Sequence, residues 1–292
     1  MYVVSVENLD DKNIFTNTLV LHPSENYIVT AIEGLAPPPA NVTGTVLTSA
    51  DGQTLNAHRI NERNIVLTIY INNPVGTNRL KLYEFLHTKR HVQIMIDSGA
   101  REAVISGYVE SFECDFFSSR QYAQVSIKCL NPYFEDVNST QTELSTTEKQ
   151  FQFAFKIPDP PQTVFSERTS LSDTQFNYLG DVPTGCTMEL YFSGSYSGVV
   201  KITDTIRNTS LRIKYDFKDE DILKINTNPG EKSIRLVRDG RTRNLISSLI
   251  EHSTWTTVYQ GVNGVVVTTP DDTGSIVIIY GYMAFHNKYM GV

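Results

Sequence analysis

The chain has 292 residues, 40% of them hydrophobic and 20% charged, with a formal net charge of -7. That length leaves room for two domains of ordinary size, each with its own core. The acidic balance excludes broad binding to a nucleic-acid backbone, which needs a basic footprint, and it is too small to make an acidic interaction tail. The modest charged fraction leaves neutral polar surface that can meet other subunits.

The opening stretch, MYVVSVENLDDKN, has no basic segment followed by a long apolar run, so no signal peptide is expected. No apolar run reaches membrane-spanning length. The chain is expected to be made and folded in cytoplasm. Its cysteines, Cys114, Cys129 and Cys186, are odd in number and fit no zinc spacing. They read as small buried hydrophobes. The alternative is a disulfide between Cys114 and Cys129, facing each other across a hairpin.

In chain order, residues 26–34 predict a strand ending at Gly34. Pro37, Pro38 and Pro39 follow and mark a stiff, exposed loop, since proline cannot donate to a ladder. Asp51-Gly52 reads as the turn of a hairpin. Residues 64–73 read as a strong strand, with β-branched residues on alternating faces, broken by Pro74-Val75-Gly76. One helix is expected over 78–90. Leu82, Phe85 and Leu86 share its apolar stripe, Leu80 and Tyr83 flank it, and Lys89 and Arg90 sit in the last turn, where cations complement the dipole. Three further strands, with a turn around Phe117 to Arg120, complete a first domain over 1–137. That domain is one helix docked on a mostly antiparallel sheet or open barrel.

Residues 138–150 are polar and read as a linker. Residues 151–158 alternate as a strand, 159–184 are rich in turns, and 185–285 hold many short strands. That spacing predicts a β-sandwich or barrel for a second domain, 151–292. No repeat of solenoid or propeller length occurs.

Chemistry-bearing constellations are absent from the pattern. There is no nucleophile elbow, no paired-histidine zinc motif and no phosphate-cradling loop. His58, His87, His91, His252 and His286 are scattered. His87 and His91 are spaced for a shared metal but have no further ligands nearby. Asp216, Asp219, Glu220 and Asp221 read as a solvated loop, without the ordered oxygen spacing of a calcium site. Tyr191, Phe192, Tyr196, Trp255 and Tyr259 raise the possibility of sugar stacking, although such aromatics more often fill a core. No catalytic, cofactor-binding or metal residue is therefore assigned, no cofactor is expected, and the chain does not read as an enzyme.

Taken along its length, the sequence resembles the distal tail proteins of siphophages and related prophages. The residues that carry the resemblance are the leading strand with Gly34, the Asp51-Gly52 turn, Arg63 before NIVLTIYI, the 78–90 helix and the ending VSIKCLNPYFED. In the second half they are LGDVPTGCTMEL, LKINTNPGEKSIRLVRDG and QGVNGVVV. The resemblance implies a tail-tube-like belt domain that closes into a hexameric ring and a galectin-like β-sandwich that projects outward. It implies a structural role at the virion tail tip, with the tail tube protein on one side and a tail-associated baseplate or fibre protein on the other. In some members the outer domain holds receptor-binding proteins. Neither membrane insertion nor specific nucleic-acid binding is implied. Two other functions are weighed against this one: a carbohydrate-binding adhesin acting through the C-terminal sandwich, and a hydrolase of cell-wall polymer.

Overall fold

A computed structural model describes residues 2–10, 18–49, 51–144, 146–148, 167–169, 174–269 and 278–292. It divides into two compact units, residues 1–137 with 288–292, and residues 138–287. The protein is mainly β, with one packed α-helix and several antiparallel sheets.

The first unit contains β1 (Val3–Asn8), β2 (Thr18–His22), β3 (Tyr27–Glu33), β4 (Ala40–Val46), β5 (Gln53–Ile60) and β6 (Arg63–Ile71). Helix α1 (Val75–Leu86) follows, then β7 (His91–Asp97), β8 (Glu102–Cys114), β9 (Tyr122–Cys129) and β10 (Phe134–Glu135). Seven of these strands run in the order β2-β1-β7-β8-β9-β6-β3. Strict alternation explains the layering. In β6, Ile65, Leu67, Ile69 and Ile71 are buried, and in β9 Ala123, Val125, Ile127 and Cys129 join them in one core. The two outermost strands, β2 and β3, are consecutive in sequence and separated only by residues 23–26. So short a link limits how far apart the two edges can lie, and the sheet must curl toward an open barrel.

Helix α1 caps this core. Leu82, Phe85 and Leu86 are buried while Leu80 is exposed, as the apolar stripe predicts. The Tyr27 hydroxyl donates to the Asn78 carbonyl at 2.9 Å, fixing the helix to β3, and burial pushes the Tyr27 phenol up to about 12. The helix begins after Pro74 and ends at Leu86, earlier at both ends than the spacing suggests. Lys89 and Arg90 consequently lie beyond it and do not complement its dipole. Lys89 takes positive φ and donates its backbone N–H to Val109, while the Arg90 guanidinium donates to the Glu84 carbonyl.

The second unit contains β11 (Thr140–Glu143), β12 (Thr146–Glu148), β13 (Glu167–Thr169), β14 (Thr174–Tyr178), β15 (Thr187–Phe192), β16 (Tyr196–Asp204) and β17 (Thr209–Phe217). It continues with β18 (Ile222–Asn226), β19 (Ser233–Arg238), β20 (Arg241–Asn244), β21 (Gly261–Thr268) and β22 (Ile278–Phe285). One sheet has the order β11-β22-β15-β18-β19-β20 and another β14-β21-β16-β17. Both contribute to a single core, in which Met188, Leu190, Leu223 and Met283 of the first sheet meet Val200, Ile202, Leu211 and Val265 of the second. Phe192 and Phe217 stack across it at 4.3 Å. Two sheets over one shared core make a sandwich.

Within the stretch read as a linker, Thr140–Glu143 pairs with β22 as an edge strand. Residues 151–158, read as a strand, lie outside the described residues, as does most of the turn-rich stretch up to residue 173. The last strand, β23 (Lys288–Tyr289), pairs with β10 in the first unit.

Candidate functional site

The surfaces most in need of a partner lie on the first unit, and chief among them is the hairpin β4–β5. It forms a two-stranded sheet of its own, turning at Gly52, whose φ of +88 suits glycine. Nearly every residue in it is exposed. Its register places Val42 opposite His58, Gly44 opposite Leu55 and Val46 opposite Gln53. Cross-strand partners share a face, so Val42, Leu55 and Val46 form one apolar face, each of them 56–65% exposed. The opposite face carries Thr43 opposite Ala57 and Thr45 opposite Thr54. An isolated amphipathic hairpin is marginal in water and needs something against its apolar side.

The root of the hairpin is rigid. Arg63, directly after it, is 2% exposed. Its guanidinium donates to the carbonyls of Pro132 (2.7 Å), Ala36 (2.7 Å), Met290 (2.6 Å) and Gly34, and it lies 4.6 Å from the centre of the Phe134 ring. All of its hydrogen bonds go to main-chain oxygens. Gly34 has φ +87, and a Cβ there would run into the Asn64 carbonyl, so both the conformation and the close approach require glycine. Arg101 adds a second tie, donating to the Gly291 carbonyl at 2.7 Å with its guanidinium 3.8 Å from the Tyr289 ring centre. The sequence marks Arg63 and Gly34 as carrying the resemblance, and the structure brings them together.

Two further surfaces of this unit stand out. The outer face of β6 and β9 pairs Thr68 with Gln124 and Val66 with Ser126, and the Ser126 hydroxyl donates to Asn64 at 2.9 Å. It also carries the Tyr70–Tyr122 pair and, opposite Asn64, Lys128, which is paired with Glu62 at 3.4 Å. The loop between β8 and β9 carries Phe116, beneath the Arg79 guanidinium at 4.7 Å, and Phe117, which is fully exposed.

In the second unit, a groove of about 440 Å³ crosses β15, β18 and β19. Beside it Glu189 accepts from Lys224 Nζ at 2.8 Å and from the Tyr191 hydroxyl at 2.9 Å. Burial raises the Glu189 carboxyl, but these partners and Tyr282 outweigh it and hold the group below its ordinary range. Burial, reinforced by Glu189, pushes Tyr282 up to about 12. No aromatic ring lines the groove, so it offers no stacking platform to a sugar. Trp255 is half-buried, packs against the sandwich core and has Lys232 5.5 Å from its ring centre.

The remaining candidates separate. His91 stacks on Tyr108 at 4.5 Å, while the His87 ring meets the Thr88 carbonyl. Among the described residues no group of three or more His, Cys, Asp or Glu is placed to hold a metal ion. The acidic run is not simply a solvated loop. Asp221 is buried; its carboxylate accepts from Arg238 at 2.7 and 2.6 Å and from the Lys218 backbone N–H at 2.8 Å. Asp219 accepts from the Gly194 N–H at 2.7 Å. The run is a folded turn. All three cysteines are free. The strand register sets Cys114 opposite Ala123, at the far end of the β8–β9 hairpin from Cys129, which rules out the bridge. Among the described residues no helix is long and apolar enough to cross a membrane.

Residues 179–282 match the family model for the siphovirus-type tail component, C-terminal domain. No curated protein matches the chain. Among solved structures, the fold is similar to the crystal structure of the Dit (gp 19.1) protein of phage SPP1, described as a paradigm of the hub adsorption apparatus in phages infecting Gram-positive bacteria. The likeness has a TM-score of 0.66 at 11% identity over 99% of each chain. It is also similar to chains of the phage P2 baseplate in its activated conformation with Ca and with Sr, each with a TM-score of 0.53 at 11% identity over the whole of both chains. Residues 179–282 thus match the siphovirus-type tail component family in sequence, and over its whole length the chain shares the fold of a phage Dit protein.

Proposed function

We propose that the chain is a structural component of a phage tail tip: a distal tail protein that joins the tail tube to the baseplate or tail-tip apparatus. The observation that carries this reading is the full-length likeness to a hub protein of a phage adsorption apparatus. In this reading residues 1–137 are the belt module, which closes into a hexameric ring, and the sandwich that follows is the galectin-like module. The tail tube protein and a tail-associated baseplate or fibre protein are the expected partners, and receptor-binding proteins are candidates for the second module. The chain does no chemistry of its own; its work is to present surfaces.

Two features of the first unit support a ring. The hairpin β4–β5 presents an apolar face that is left exposed among the described residues. The outer face of β6 and β9, whose cation Lys128 is paired with Glu62, suits a lumen that lets DNA pass without holding it. Negative-stain imaging and mass measurement of the purified chain, and of assembled tails, test the reading. Six-fold rings are expected, and a different symmetry at the tail tip would refute the hexamer.

A further inference from the structure

The first unit is finished by residues that follow the whole of the second in sequence. Strand β23 sets Tyr289 opposite Phe134 and Lys288 opposite Glu135, and Lys288 Nζ lies 3.3 Å from the Glu135 carboxylate. On its other side β10 pairs with β8, through Glu135 and Val104. Tyr289 and Phe134 both belong to the core of the first unit. The Met290 carbonyl is one of the four acceptors of buried Arg63, the Gly291 carbonyl accepts from Arg101, and the Val292 N–H donates to the Leu35 carbonyl. Residues 288–292 thus form a clasp that supplies core, ladder and acceptors to a unit whose other residues all precede position 138.

The second unit brings its own two ends together. Thr140 lies opposite Phe285 in the β11–β22 ladder. Asn287 is buried, and its side-chain oxygen accepts from the Leu179 N–H at 3.2 Å. Asn287 is therefore held within the sandwich, while the very next residue, Lys288, is in the ladder of the first unit. Between the Thr140–Phe285 pair and the Glu135–Lys288 pair lie only residues 136–139 on one side and 286–287 on the other. We propose that the clasp is a folding checkpoint: the sandwich must fold before residues 288–292 can return and complete the first unit. The reason is loop closure. With the sandwich unfolded, the clasp has to close a flexible loop of residues 136–287. With it folded, only the two short links remain free. The chance that the ends meet falls roughly as the 3/2 power of loop length, so sandwich folding favours the closed clasp by roughly a hundredfold.

The linkage is reciprocal, since a closed clasp favours the β11–β22 pair by the same factor. Order of synthesis adds to it. Residues 1–137 are made first, and they cannot acquire the carbonyls of Met290 and Gly291 until residues 138–287 have followed. Given the tail-tip role proposed above, the clasp withholds a finished first unit from any copy whose sandwich is missing or unfolded. The linkage itself is a property of the single chain and is measured without that role.

Hydrogen exchange of the full chain tests the checkpoint. The Val292 amide and those of β10 and β23 report the clasp, and the β6–β9 ladder serves as the internal reference. Leu223→Asp places a charge in the sandwich core, where Leu223 is fully buried, and Trp255 emission confirms that the sandwich has unfolded. The clasp amides are then expected to exchange roughly a hundredfold faster while the reference ladder stays protected. A second variant leaves both cores untouched: about twenty glycine and serine residues inserted between Asn287 and Lys288 lengthen the link and should speed clasp exchange about tenfold. The same insertion in the Asp239-Gly240 turn should leave the clasp unchanged. Clasp amides that keep their parent rate with the sandwich unfolded, or with the link lengthened, overturn the proposal. A reference ladder that loses protection in step with the clasp makes the chain one cooperative body and overturns it as well. If Leu223→Asp aggregates, the insertion decides alone, its tenfold change supporting the checkpoint and its absence refuting it. A missing ring in assembled tails refutes the hexamer and leaves these outcomes as they are.

Discussion

The guanidinium of Arg63 donates to the main-chain oxygen of Met290 at 2.6 Å, across a separation of 227 residues. The same side chain holds Gly34, Ala36 and Pro132. One buried cation thus fastens the start of the hairpin, the strand that follows it and the returning C-terminal segment. Burial lowers the Arg63 pKa, but arginine keeps its charge at any ordinary pH, and the carbonyl dipoles with the Phe134 face solvate it in place of water.

Replacing Arg63 with methionine keeps most of the stem and strands four buried carbonyls. Each such loss costs about 1–3 kcal/mol, so a total of at least about 3 kcal/mol is expected even if the site partly collapses. Arg63→Lys should rescue little, because a single ammonium cannot reach carbonyls arranged around a planar fork. Urea unfolding monitored on first-unit tyrosines measures both variants. A methionine variant as stable as the parent would show that the cage is incidental.

Helix α1 offers a sharper contrast within a few residues. Leu82 is fully buried and Phe85 is 8% exposed, whereas Leu80 is 64% exposed. Phe85→Ala should cost about 3–5 kcal/mol and Leu82→Ala about 2–5 kcal/mol, from lost burial plus the cavity left behind. Leu80→Ala should stay within about 0.5 kcal/mol. Equal effects at positions 80 and 85 would mean that another face of the helix is packed.

How far the sequence reveals this fold depends on how each element signals itself. Val66 to Ile71 and Leu82 to Leu86 announce their buried faces through period and composition. β11 (TQTE) and β20 (RTRN) do not, because edge strands with polar side chains on both faces carry no alternation to read. The return of Lys288–Tyr289 to the first unit is equally hidden, since it depends on carbonyls presented to Arg63 and Arg101 and not on side-chain pattern. The hairpin turn at Asp51-Gly52 is plain from sequence, but the exposure of Val42, Val46 and Leu55 is not. A face meant for another subunit has the same apolar spacing as one meant for the protomer's own core.

Asp221 and Arg238 form a two-pronged ion pair in the second unit. Burial pushes the Asp221 carboxyl up, but the Arg238 hydrogen bonds, the Lys218 backbone N–H and the Arg238 charge outweigh it and leave the group below its ordinary value. A depressed carboxylate contributes stability above its unfolded pKa of about 3.9 and loses it as pH falls through the folded value. The wild-type sandwich should therefore weaken below about pH 4. Asp221→Asn should be less stable by about 1–3 kcal/mol at neutral pH, because water reaches the 28% exposed Arg238 and relieves part of the loss. The variant should also lose this part of the acid dependence. Parallel acid titrations of Tm for the two proteins would show otherwise if Asp221→Asn and wild type fell in step.

Glu189 raises Tyr282 in addition to burial. Glu189→Gln should bring the Tyr282 phenol down from about 12 while leaving it above the ordinary value of about 10 that burial alone perturbs. Ultraviolet titration of the phenolate band, with Tyr282→Phe to identify the signal, measures the shift. An unchanged Tyr282 would mean that the Glu189 contact is not kept in solution.

The thiols give the last prediction, and it returns to Arg63. Burial pushes Cys129 up to about 12 even though the Arg63 cation beside it pulls the other way. Burial also pushes fully enclosed Cys186 up to about 12, against a hydrogen bond from Thr227. Cys114 is partly exposed and is raised too, by burial, against the opposing Arg79 cation and with a smaller push from the Asp115 charge. Since the thiolate is the reacting form, a disulfide-exchange reagent at pH 8 should label Cys114 slowly and leave Cys129 and Cys186 untouched in the native chain. After denaturation without reductant all three should react, because strand register keeps Cys114 away from Cys129. In Arg63→Met the β9 end loses its clamp, and Cys129 should become labelled as that end opens, despite losing the cation that favours its thiolate. Labelling of Cys129 at the same low rate in both proteins would show that the strand end is held by its ladder alone.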